Sequence, residues 1–101
     1  MEIVTTAVAS GTADVQAIAA FPGGQWMMGF SVTEDAIVPA LSRVRLHHGT
    51  SSAGPELFDV HLLASGSARE WFGQYGPDVR SGVFIDRVLG TTRLTVYTRL
   101  T

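Results

Sequence analysis

Apolar and polar residues alternate along most of this chain, in short runs that glycine, proline and serine interrupt. Alternation with a period of two places successive side chains on opposite faces of a β-strand. Short strands separated by turns about every ten residues are typical of sandwiches and barrels. The pattern therefore predicts an all-β domain, an antiparallel two-sheet β-sandwich of the jelly-roll-like kind that buries its apolar faces between the sheets.

Eight strand-like segments follow from this alternation. We place them at residues 2–9, 12–20, 25–33, 40–48, 56–64, 68–72, 78–89 and 92–100. The alanines of residues 12–20 leave a helix open there, and residues 49–55 form the clearest loop. The last two segments are joined through Gly90 and are expected to form a hairpin.

Composition and charge exclude several classes of protein. The 101 residues carry a net charge of −2, which argues against a nucleic-acid partner bound by phosphate neutralisation. Cysteine is absent, which excludes a disulfide framework and thiolate metal sites. The longest apolar runs, residues 17–21 and 26–30, are too short to cross a bilayer, and no secretory leader is visible. We therefore expect one domain, made in the cytoplasm, with no membrane partner.

No group of residues in the sequence predicts catalysis. His47 and His48 are adjacent and would point to opposite faces of a strand, so they would not bind one metal ion together. His61 could lie beside His47 on a neighbouring strand, which would give two metal ligands at most. The carboxylates are scattered, and the loop after Gly49 lacks the lysine of a phosphate-binding loop. We expect no metal, no cofactor and no enzymatic activity.

The aromatic residues predict a binding surface. Trp71, Phe72 and Tyr75 lie within five residues, beside glycines and Pro77. Consecutive rings on a strand point to opposite faces, so one of Trp71 and Phe72 should leave the core. Exposed rigid rings of this kind are typical of protein interfaces and of carbohydrate platforms. Trp26, by contrast, is expected in the core, because it shares an alternating apolar face with Met28, Phe30 and Val32.

Four further residues are candidates for contact with a partner. Met27 lies on the opposite face of the segment from Trp26, and Tyr97 lies on the polar face of the last segment. Arg43 and Arg45 share the polar face of residues 40–48, so that face should meet water or a partner. All seven basic residues of the chain are arginine, which either a biased genome composition or bidentate interface contacts would explain.

Three blocks of sequence carry a resemblance to a known family. The first block is GFSVTE at 29–34 with VRLHHGTSSAG at 44–54. The second is FDVHLLASGS at 58–67 with EWFG at 70–73. The third is YGP at 75–77 with SGVFID at 81–86, Gly90 and LTVY at 94–97. Together these blocks resemble the small β-sandwich virion structural proteins of tailed phages and prophages of GC-rich bacteria. The resemblance covers about residues 25–100, so residues 25–101 are expected to form the β-sandwich core.

The resemblance implies a structural role in the virion, made in a bacterial host. The expected function is that of a capsid decoration or head-surface subunit, which assembles with its own copies and with the major capsid protein or other virion proteins. A tail-associated or carbohydrate-binding module that contacts host-surface glycans is the alternative. Residues 1–24 lie outside the resemblance and are expected either to join the sandwich or to form an arm exchanged with a neighbour.

Overall fold

A computed structural model describes residues 2–100 as eight strands and one short 3-10 helix, with overall dimensions of 41 × 25 × 18 Å. Residues 1 and 101 lie outside the described part. The elements are β1 (Glu2–Gly11), β2 (Val15–Ile18), β3 (Gln25–Glu34), β4 (Ser42–His48), β5 (Glu56–Leu62), β6 (Ser67–Trp71), the 3-10 helix (Gly73–Tyr75), β7 (Val83–Leu89) and β8 (Thr92–Leu100).

The strands form two antiparallel sheets of four. Sheet A has the order β1-β8-β3-β6, and sheet B has the order β2-β7-β4-β5. Each strand therefore pairs with the one that mirrors it in the sequence: β1 with β8, β2 with β7, β3 with β6, and β4 with β5. Four such pairs rolled into two sheets make a jelly roll, which confirms the predicted two-sheet sandwich.

The predicted hairpin between the last two segments is wrong. β7 and β8 follow each other in the sequence but belong to different sheets, since β7 pairs with β2 and β4 while β8 pairs with β1 and β3. Gly90, at a φ of 80°, turns the chain from sheet B across to sheet A, and the Asp35 amide donates to the carbonyl of Thr91 beside it. Residues 15–18, which the sequence left open between strand and helix, form a strand.

A β-bulge in β3 overturns the predicted position of Trp26. Met27 lies opposite Thr98 of β8 while Gly29 lies opposite Tyr97, so Met28 is an extra residue in β3. The bulge reverses the alternation on its N-terminal side. Met27 is consequently fully buried in the core and is no longer an interface candidate, whereas Trp26 points outward and is only half-buried.

The core lies between the two sheets. Alternate residues of β4 and β8 fill it, and β3 contributes Phe30 and Val32 after the bulge. Its thirteen buried members are Val8, Ile18, Met27, Phe30, Val32, Val44, Leu46, Leu62, Val79, Val83, Ile85, Leu94 and Val96. Burial of these apolar side chains is the main force that holds the sheets together.

The N-terminal segment contributes one edge strand to each sheet. β1 pairs with β8 of the same chain from Glu2 opposite Leu100 onward, and β2 pairs with β7. The Arg87 guanidinium fixes the corner between β1 and β2, because it donates to the carbonyls of Ala9, Ala13 and Thr92. In the described chain β1 and β2 are therefore strands of the sandwich, and exchange of this segment with a neighbour stays a prediction.

Candidate binding surface on sheet A

Two aromatic rings meet across the outer face of sheet A. Trp71 of β6 and Tyr97 of β8 both lie opposite Gly29 of β3, one on each side. A Cβ atom on Gly29 would lie 2.7 Å from the Trp71 ring, so only glycine lets that ring lie across the strand. The rings then meet edge to face with centroids 5.8 Å apart, an orientation that aromatic pairs prefer.

A cation–π contact extends this surface. The Arg99 guanidinium lies 4.4 Å from the centroid of the Trp26 ring, directly across β3 and β8. The same guanidinium donates to the carbonyl of Gln74 in the 3-10 helix, at 2.9 and 3.2 Å. This contact holds the helix that carries Tyr75, whose side chain is 87% exposed. Trp71 is 61% exposed, so both predicted rings are available to a partner.

The outward strand positions of sheet A carry a net positive charge within residues 2–100. These positions hold Arg69, Arg93 and Arg99, and no carboxylate among residues 2–100. None of the three arginines forms an ion pair with a described residue. Asp78 forms an isolated backbone β-bridge with Trp26 at the end of the sheet, but its carboxylate is already paired with Arg80 at 2.9 Å. We call the outer residues Trp26, Trp71, Tyr97, Arg69, Arg93 and Arg99 the aromatic–arginine face.

On the outer face of sheet B, the arginines form ion pairs with carboxylates of the same face. The Arg43 fork donates two hydrogen bonds to the two carboxylate oxygens of Asp59, at 3.0 and 2.7 Å, and Arg45 lies 3.3 Å from Glu56. His61 lies 3.4 Å from Asp59. The hydrogen bonds from Arg43 lower the pKa of Asp59 from 3.8 to about 2. Arg43 and Arg45 therefore face outward as predicted, but their charges are already paired.

The histidines do not converge. His47 lies opposite Glu56 and His61 lies opposite Arg43, at the two ends of the β4–β5 pair, so the two histidines do not approach each other. The His47 ring is buried, donates from Nδ1 to the carbonyl of Gly54 and lies 3.6 Å from the Asp86 carboxylate. The described residues include no group of three or more potential metal ligands.

Phe72 closes an open side of the sandwich. Its ring stacks on Phe58 at 5.2 Å and lies 6.4 Å from Phe30, where the edge strands β5 and β6 diverge. An open groove of about 500 Å³ runs along this side, with Asp59, His61 and Glu70 on its rim. Phe72 thus belongs to the core lining, while its neighbour Trp71 faces solvent, as the alternation predicted for one of the two rings.

A second apolar surface lies at the end of the sandwich near the Gly90 turn. Leu41, Leu63 and Leu89 are exposed around a small groove of about 360 Å³. The Glu34 carboxylate fixes the backbone there, because it accepts hydrogen bonds from the amides of Ala36 and Ser65, which lower its pKa. Arg43 and His61 also line this groove, and the alternation of the sequence did not predict the exposed leucines.

The sequence pattern identified two of the six residues of the aromatic–arginine face. It singled out Trp71 and Tyr97, but placed Trp26 in the core and did not single out Arg69, Arg93 or Arg99. Arg93 and Arg99 are an even number of positions from Tyr97 in β8, so alternation places all three on the same face of the strand. The same holds for Arg69 and Trp71 in β6. The sequence does not show that these three arginines form no ion pair with any residue from 2 to 100.

Comparison with known proteins identifies no relative. No family model, no curated protein and no solved structure matches this chain. Across residues 2–100, no helix has the length and apolar character needed to cross a membrane. The structural argument for a function therefore rests on the geometry of the aromatic–arginine face.

Proposed function

We propose that this protein is a non-enzymatic structural subunit of a phage particle, which docks through its aromatic–arginine face. The resemblance of residues 25–100 to small virion proteins supports a place in the phage particle. Within the particle we propose the role of a head-surface or capsid decoration subunit. Jelly rolls serve in viral capsids as well as in lectins, so the fold agrees with this role without selecting it.

The observation that carries the proposal is the combination of side chains on sheet A. Trp, Tyr and Arg are the residues that most often dominate binding energy at protein interfaces. Trp71 presents a ring that is held in place by Tyr97, so little side-chain freedom is lost on binding. Arg69 and Arg93 form no ion pair within residues 2–100, and so complement an acidic surface on a major capsid or other virion protein.

The test uses particles of the phage or prophage that encodes the chain. We expect the protein in purified particles, and we expect added protein to bind particles made without it. Trp71→Ala should weaken this binding by about 30-fold or more, the loss of an interface anchor. Arg45→Ala, on the paired face of sheet B, is the matched control and should bind like the original chain. Absence from particles, or undiminished binding by Trp71→Ala, would contradict the proposal.

A carbohydrate-binding module is the second candidate, because Trp71 and Tyr75 are both exposed near one end of sheet A. Sugars stack on exposed aromatic rings, and phage particles contact host-surface glycans. Co-sedimentation with purified cell-wall polysaccharide, compared between the original chain and Tyr75→Ala, separates the two functions. Loss of polysaccharide binding in Tyr75→Ala with unchanged particle binding would favour the glycan for this end of the molecule.

A further inference from the structure

The four edge strands of the sandwich differ in how well they are protected. Exposed edges invite pairing with other chains, and proteins block them with charges, bulges, proline or short strands. β2 has four residues and a bulge; β5 carries Glu56, Asp59 and His61 and a bulge; β6 has five residues and carries Arg69 and Glu70. Each of these three edges thus has at least one recognised form of protection.

β1 lacks such protection from residue 2 to residue 8. This stretch pairs with β8 in unbroken register, and the only charge on it is Glu2 at the start. It contains no proline, and its outward side chains Ile3, Thr5 and Ala7 are exposed. Within residues 2–100 β8 is the only strand that pairs with β1, so the backbone groups on its other side face outward. The end of the strand differs, because the register shifts in a bulge between Val8 and Gly11 and Arg87 donates to the carbonyl of Ala9 there.

We propose that β1 pairs with β1 of a second copy of this chain, antiparallel and across a two-fold axis. Antiparallel pairing sets residues of the same face opposite each other, so a strand that pairs with itself must centre on one residue. Thr5 is the middle of the unprotected stretch. Centred there, Thr5 meets its own counterpart, and the exposed Ile3 meets the small Ala7 of the other copy.

The charge pattern favours a second copy in this orientation. With Thr5 at the centre, Glu2 lies opposite Val8 of the other copy, so the two Glu2 carboxylates are about 20 Å apart along the strands. That separation exceeds the range of charge repulsion at physiological salt. A parallel, in-register pair would instead set Glu2 beside Glu2, where like charges destabilise a sheet.

The dimer would merge the two copies of sheet A into one sheet of eight strands. Because the two-fold axis is perpendicular to that sheet, both aromatic–arginine faces lie on the same side. Two linked faces bind a repetitive surface far more tightly than one, by raising the effective concentration of the second. The β1 contact does not depend on the proposed function, since a dimer can form whatever the aromatic–arginine face binds.

Single cysteines test the register, because the natural chain has none. A residue directly opposite itself lies within disulfide distance, whereas one two positions along the strand is about 13 Å from its copy. We expect Thr5→Cys to form a covalent dimer under mild oxidation, and Ala7→Cys and the edge control Ser67→Cys on β6 to remain largely monomeric. A maximum at another residue from 3 to 7 would support the same contact with a shifted centre.

Sedimentation equilibrium of the unmodified chain gives the second test. We expect a mass of twice 10.8 kDa at about 100 μM protein, and Thr5→Lys should weaken the association by about tenfold or more, since two lysines then oppose each other. Ser67→Lys and Trp71→Ala should stay dimeric, which separates this contact from the aromatic–arginine face. A monomeric mass for the unmodified chain, or cross-linking no stronger at residues 3–7 than at Ser67→Cys, would overturn the proposal.

Discussion

The outer faces of both sheets carry arginines, yet the two faces differ in what lies across from each arginine. On sheet B, Arg43 and Arg45 lie opposite His61 and Asp59 of β5, and Asp59 accepts both hydrogen bonds from the Arg43 fork. On sheet A, Arg69 lies opposite Ser31 and Arg93 opposite Thr33. Cross-strand neighbours therefore decide whether an arginine contributes to the fold or remains available to a partner.

The comparison separates two uses of the same residue type. Sheet B satisfies its charges internally, so its face gains little from a partner, which would have to break existing pairs. Sheet A keeps its cations and rings accessible, and the only described contacts of these arginines are those of Arg99 with Trp26 and Gln74. Sheet A is for that reason the better candidate for binding, and the following changes test how firmly the two faces differ.

The largest effect is expected on sheet A, at Gly29. In Gly29→Ala the new Cβ would lie 2.5 Å from the Glu70 carbonyl oxygen and 2.7 Å from the Trp71 ring, so β6 and the ring must shift. We expect a loss of about 2 kcal/mol in the free energy of unfolding, typical of an overpacked site, measured by urea denaturation. Ser31→Ala, on the same face of β3, should change it by less than about 0.5 kcal/mol.

A double variant shows how much of that loss comes from the ring. Gly29→Ala combined with Trp71→Ala removes the ring contact and keeps the backbone contact, so it should cost less than the sum of the two single changes. Strict additivity would mean that Trp71 does not lie across Gly29. A Gly29→Ala chain as stable as the original would contradict the described geometry of the aromatic–arginine face.

A smaller effect is expected from removing one acid on each side of the molecule. Asp59→Asn breaks the bidentate pair with Arg43 and the contact with His61, and should lower the free energy of unfolding by about 1 kcal/mol, the upper end for water-exposed pairs. Glu70→Gln removes an acid from the edge of sheet A that pairs with no described cation, and should leave stability unchanged. Equal losses in the two variants would remove the distinction between the faces.

The smallest effect is the contribution of Asp59 to acid sensitivity. Its pKa is 3.8 when unpaired and about 2 in the folded chain, so the stability it supplies is complete above about pH 4 and is lost as the pH falls toward 2. Glu34 and Asp78, whose pKa values are also lowered, act in the same direction. Thermal melts from pH 5 to pH 2 should fall less steeply for Asp59→Asn than for Glu70→Gln. Parallel profiles would show that the Arg43 pair adds nothing to stability.

The alternation of side chains predicted the strands well because it reports a local property, the side of the strand on which each residue lies. Leu94, Val96 and Thr98 are buried as expected, and Arg43 and Arg45 face outward. The same reasoning failed at Trp26, because the bulge at Met28 exists only where β3 pairs with β8. Alternation in one strand carries no mark of an extra residue that its partner strand imposes.

The sequence by itself determined that this chain forms short strands with one apolar and one polar face, since a period of two leaves no other way to bury its apolar residues. Tertiary structure alone decided that β7 and β8 belong to different sheets, which cross-strand neighbours each arginine has, and that β1 is left with an open edge. Those outcomes depend on which distant strands become neighbours, and pairing between strands is fixed by the packing of the whole sandwich rather than by any one segment.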